Sequence, residues 1–171
     1  MTTPPTERPA TERPARARRF VVGRVDEIPP GGRRIVEANG RQIGVFNIGG
    51  RFHAMLNRCP HLGAPLCEGG VVNQIESSVP GDVRLDETRT FLTCPFHNWE
   101  FDVETGQSYW NPKLRARPFT VALEGADDVR TALERGELDR IPGPYTAETV
   151  DVSVESDYVV LSLRPARGGA S

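Results

Sequence analysis

The chain has 171 residues, 37% hydrophobic and 26% charged, which is the size and balance of one globular domain able to bury a core without a disulfide framework. Lys and Arg total 21 against 23 Asp and Glu, a net charge of −2, so the sequence carries no electrostatic footprint for nucleic acid, and it has no apolar run of about 18 residues to span a membrane. Its scarce residues are three Cys and three His, an odd and low Cys count that argues against a secreted disulfide scaffold and leaves metal binding or catalysis open.

Residues 1–19 hold four Pro, five Arg and two Glu, with TERPA occurring at 6–10 and again at 11–15. Such a stretch cannot bury enough apolar surface to offset the cost of ordering, and a disordered tail is expected. Arg18-Arg19 before Phe20-Val21-Val22 has the look of a twin-arginine export signal. An export signal then needs an apolar stretch of about 7–15 residues, and Gly23 to Glu27 interrupts it at once. A cytoplasmic protein is therefore expected.

From Phe20 the pattern is one of short strands with turn punctuation. Arg34–Glu37, the Asn39-Gly40 turn and Gln42–Ile48 predict a hairpin, and Arg51–Leu56 a third strand of the meander. Thr90–Thr93 and Trp99–Val103 alternate, the second turning at Glu104–Gln107, and Arg117–Leu123 reads as another strand. Val150–Val154 and Tyr158–Leu163, flanking Glu155-Ser156-Asp157, predict a terminal hairpin. One helical window, Asp127–Arg135 with Gly136 as its stop, reads as a solvated helix in an insertion. The chain is expected to be all-β.

Two short segments gather the rare residues: Cys59-Pro60-His61-Leu62-Gly63-Ala64-Pro65-Leu66 and Cys94-Pro95-Phe96-His97-Asn98-Trp99. Each sets a thiol beside an imidazole two or three positions on, just past a predicted strand. Two soft sulfurs and two borderline nitrogens suit a transition metal. A Cys2His2 zinc site is one reading, although zinc motifs usually pair Cys with Cys and His with His within a knuckle. The other reading is a two-iron cluster, one iron taking both Cys and the other both His. Cys67 and His53 remain outside the pattern, Cys67 as a structural thiol and His53 with no role; Trp99 and Trp110 are expected in the core.

The segments CPHLGAPL at 59–66 and CPFHNWEFDVETG at 94–106 resemble those of the Rieske iron–sulfur proteins, and the likeness extends over roughly residues 20–123 and the terminal hairpin. The resemblance implies an antiparallel β-sandwich with a cluster-binding subdomain over residues 20–165, insertions near 70–88 and 124–147, and a flexible tail at 166–171. It implies a 2Fe-2S cluster with Cys59 and Cys94 on the inner iron and His61 and His97 on the outer one, near the surface. Respiratory members carry a further Cys in each loop, joined as a disulfide; Ala64 and Phe96 occupy those positions. Trp99, which the resemblance puts close to the cluster, stands where those members often have Ser, and losing a hydroxyl hydrogen bond to a cluster sulfur lowers the reduction potential. Asn98 replaces the usual Gly, and Asn is the best substitute where φ must be positive.

The function so implied is one-electron transfer from a reductase to an oxygenase or other redox enzyme, with the oligomeric state open. Hydroxylation by this chain would need a mononuclear iron on two His and a carboxylate. With His61 and His97 assigned, only His53 remains, so an electron carrier is expected and not an enzyme. A non-catalytic regulatory subunit with a structural or redox-sensing cluster, or a zinc module, are the alternatives.

Overall fold

The computed structural model describes residues 17–141 and 157–164. Within them lie ten strands and one α-helix: β1 (Arg18–Arg24), β2 (Arg33–Ala38), β3 (Arg41–Ile48), β4 (Arg51–Leu56), β5 (Val71–Glu76), β6 (Arg84–Thr93), β7 (Glu100–Asp102), β8 (Pro118–Glu124), α1 (Ala126–Glu134), β9 (Asp139–Arg140) and β10 (Tyr158–Leu163). Seven strands form one sheet in the order β2-β3-β4-β8-β10-β1-β9, and β5-β6-β7 form a second. Pairing is antiparallel except for the short β1–β9 contact. The mostly-β class with one short helix is thus as expected.

The meander is locally determined. Asn39 and Gly40 have φ of 53° and 69°, the left-handed pair that a two-residue hairpin loop needs, and Ala38 pairs directly with Arg41. Because successive side chains of a strand point to opposite faces, β3 serves two cores. Ile43 and Val45 enter one with Phe20, Val36, Ala54 and Leu161, while Phe46 enters the other with Met55, Leu92 and Phe101. Gly44 lies on the second face, where a Cβ would stand 2.5 Å from Cys67 Cβ. The second core joins the seven-stranded sheet to the three-stranded one.

Four expectations need correction. Arg18 and Arg19 are not part of the tail: they begin β1, opposite Leu163 and Ser162, where Arg18 pairs with Asp139 at 2.9 Å and Arg19 with Glu124. Charged partners let two Arg occupy strand positions that composition assigns to coil. The terminal hairpin is also different. Both sides of Tyr158–Leu163 are taken, by β1 and β8, so this segment is a central strand, as its near-continuous apolar run befits. Third, α1 is not merely solvated: Ala126, Val129 and Ala132, spaced i, i+3 and i+6, pack on Leu138, Tyr158 and Val160, and Gly136 (φ 65°) ends the helix as expected. Fourth, Trp110 is 63% exposed and not a core residue. The remainder of the expected tail (1–16), Val150–Val154 and residues 166–171 lie outside the described residues.

The long stretch between the two Cys/His segments forms a hairpin of β5 and the first half of β6. Register jumps from Asn73↔Thr90 to Gln74↔Asp86, with Glu87–Arg89 bulged out. At its base the chain passes very close to itself. A Cβ on buried Gly69 would stand 1.7 Å from the Thr93 carbonyl oxygen, while Thr93 N–H donates to the Gly70 carbonyl at 2.8 Å. Gly69→Ala therefore has to push apart the strands carrying the two segments. The expected loss is about 1–3 kcal/mol of stability, as for other overpacked sites, read as a lower urea midpoint with unchanged slope.

Candidate metal centre

The Cys59 and Cys94 segments follow β4 and β6, and their backbones close in the same way. Cys59 N–H donates to the Ala64 carbonyl and Gly63 N–H to the Cys59 carbonyl, both at 2.8 Å. Cys94 N–H donates to the Trp99 carbonyl and Asn98 N–H to the Cys94 carbonyl, again both at 2.8 Å. In each loop the fourth residue after Cys is left-handed: Gly63 has φ 77° and Asn98 φ 54°. Asn98 holds this conformation as expected, its short polar side chain tolerating the region that other L residues avoid.

Burial separates the donor types. Cys59 and Cys94 are 2% and 1% exposed, whereas His61 is half-buried and His97 exposed. Burial pushes the Cys59 thiol up from its ordinary value; the adjoining Cys94 thiol adds to that, and the amides of His61 and Leu62 pull against it. The imidazoles meet edge to face, ring centroids 5.1 Å apart at 68°. The Trp99 indole lies flat on His61 at 4.0 Å and 6°, so the expected core tryptophan packs on the site itself.

The buried Nδ1 of His61 has no hydrogen-bond partner. Leaving such an atom unsatisfied costs about 1–3 kcal/mol, and a neutral imidazole nitrogen is a common metal ligand. Among the described residues, no three His, Cys, Asp or Glu side chains converge as one ion would require. The donors fall instead into a buried sulfur pair and an outer imidazole pair. That division suits a two-iron cluster with one pair on each iron better than a single tetrahedral zinc.

Further residues hold the loops in place. Asn57 Oδ1 accepts from Cys67 N–H at 2.7 Å. Arg33 reaches across to the carbonyls of Cys67, at 2.9 Å, and Gly69. The Cys67 thiol donates to the Met55 carbonyl at 3.3 Å, and burial pushes it up to about 12. An inert structural thiol, as expected, is what these contacts describe. His53 sits in β4 opposite Phe46, away from the donor set, with burial lowering its pKa. Arg33 and Asn57 carried no signal in the sequence, since each acts across at least ten residues on a backbone atom.

The ferredoxin subunit of biphenyl dioxygenase from Pseudomonas sp. strain KKS102 is 30% identical over 104 residues, 60% of this chain and 82% of that protein. The ferredoxin component of the naphthalene 1,2-dioxygenase/salicylate 5-hydroxylase systems of Ralstonia sp. is 30% identical over 101 residues, 58% and 82% of the two chains. A Mycobacterium tuberculosis protein, solved as the proposed small subunit of an NADH-dependent nitrite reductase, shares the fold at a TM-score of 0.56. It is 16% identical and covers 88% of this chain and 98% of its own. Residues 18–130, which include both Cys/His loops and the meander that carries them, match the Rieske [2Fe-2S] domain family, and the chain belongs to that family.

Proposed function

We propose that the chain is a one-electron carrier. A Rieske 2Fe-2S cluster would be held by Cys59 and Cys94 on the inner iron and His61 and His97 on the outer. It would pass electrons from a reductase to an oxygenase or another redox enzyme in the cytoplasm. One observation carries this reading: a buried thiol pair faces an outer imidazole pair, one of whose nitrogens is buried without a partner. The ferredoxin names of its relatives support it, and among the described residues no helix is long and apolar enough to cross a membrane. Residues 20–165 are read as the cluster domain, with 70–88 and 124–147 as insertions.

When bound, the cluster supplies one reversible electron and no substrate site. The protein's part is to hold the donors still. Two cysteines packed in a core cannot shift between redox states without disturbing Phe46, Met55 and Leu92. His97 opens to solvent, where a partner can approach, and Trp99 keeps water from one face of His61. The indole at position 99 offers no hydroxyl to a cluster sulfur, which disfavours the more negative reduced state.

Protein purified without oxygen is expected to be brown, with two irons per chain and an anisotropic EPR signal on reduction; zinc in place of iron overturns the reading. Cys94→Ala is expected to abolish the signal and the iron content, and full iron in that variant refutes the ligand set. The reduction potential is expected below about +100 mV, in the lower part of the range of about −150 to +300 mV spanned by His-ligated clusters. A voltammetric value well above that excludes the low-potential assignment.

A further inference from the structure

Charge is unevenly spread around the candidate centre. The segments 57–66, 95–99 and 106–118 build the two loops and the stretch leading into β8. They contain Arg58, Lys113, Arg115 and Arg117 and no Asp or Glu, in a chain whose net charge is −2. A groove beside the first loop is lined by Arg58, His61, Leu62, Arg115 and Arg117. All three arginines are exposed. Their contacts involve no carboxylate: Arg115 Nε donates to the Thr105 carbonyl at 2.7 Å, and the Arg117 guanidinium lies over the Phe119 ring, 5.3 Å from its centroid. Among the described residues, no carboxylate pairs with any of them. Seven arginines elsewhere, Arg18, Arg19, Arg24, Arg34, Arg51, Arg84 and Arg130, do have carboxylate partners.

Next to this cationic rim the loop tips present apolar surface, Leu62 at 66% and Phe96 at 63% exposed. Apolar anchors edged by arginine are the anatomy of a protein interface, and unpaired guanidinium groups favour carboxylates, which they can hold with two parallel hydrogen bonds. We infer that Arg58, Arg115 and Arg117 form a docking rim for a redox partner whose surface presents a carboxylate-rich patch. The inference rests on the carrier reading for its purpose but on the charge distribution for its content.

The probe for such a patch is poly-L-glutamate, with poly-L-lysine as control. Calorimetry is expected to show poly-L-glutamate binding that weakens as salt rises from about 0.01 to 1 M, a change that shortens the Debye length from about 30 to 3 Å. Arg58→Gln and Arg117→Gln together should weaken it at least about tenfold, the lower end of what focused surface charge achieves. Arg115 is left intact in that variant because it supports the Thr105 turn, and each single variant should give part of the loss.

The loaded protein gives a second readout. The reduced cluster gives up one electron to hexacyanoferrate(III), forming hexacyanoferrate(II). Attraction at the rim makes that rate fall with added salt, and poly-L-glutamate should slow it. A chain governed by its net charge of −2 would behave oppositely, with a rate that rises with salt. Such a rise, or poly-L-glutamate binding indifferent to the two arginines, overturns the rim. A colourless, iron-free protein that still binds poly-L-glutamate through Arg58 and Arg117 would sink the carrier reading and leave the rim standing.

Discussion

Cys59 and Cys94 are core side chains as much as candidate ligands. They pack with Phe46 and Met55 from the seven-stranded sheet and with Leu92 and Phe101 from the three-stranded one, so the sulfur pair sits on the seam where the two sheets meet. Close-packed interiors transmit small displacements. The seam therefore fixes the separation of the two thiols, and anything that loosens it moves both donors at once. Gly44 and Gly69 mark how tight it is: each lacks a side chain where a neighbouring segment passes within van der Waals contact. Metal binding requires both thiols deprotonated, and burial opposes the charged form at Cys59. A bound metal would have to offset that preference at Cys59.

The imidazoles are positioned by a different device. Each loop is closed by two backbone hydrogen bonds of identical pattern around a left-handed residue, and this turn sends the chain outward between the buried Cys and the return to the sheet. His61, two residues after its Cys, and His97, three after, both ride on that outward arc. Packing sets the sulfurs and local hydrogen bonding sets the nitrogens. The site can thus be dry at one end and open at the other without any lid.

How much of this was legible in sequence follows from the range of each interaction. The Asn39-Gly40 hairpin and the Gly136 helix stop depend on φ values within one turn, and both were readable. The donor set is readable because two Cys and two His fall within the fourteen positions of 59–66 and 94–99 in a chain with three of each. The strand character of Arg18 and Arg19 is not legible locally because it depends on Asp139 and Glu124, more than a hundred residues away. The buried face of α1 was hidden for the same reason, its partners Tyr158 and Val160 lying on a strand far downstream. The resemblance puts Trp99 close to the cluster, but nothing local shows that the flat surface it covers is the His61 ring.

That stack makes the two imidazoles unequal. His61 has an indole against one face and the arginine groove alongside, and its Nδ1 points into the buried interior. His97 is exposed, touching His61 and Phe96 only through edge-to-face contacts. Since both are carried on turns of the same geometry, the difference comes from single residues, Trp99 in one loop opposite Ala64 in the other. Trp99 thus covers one face of His61, and no residue of the first loop covers His97 in the same way.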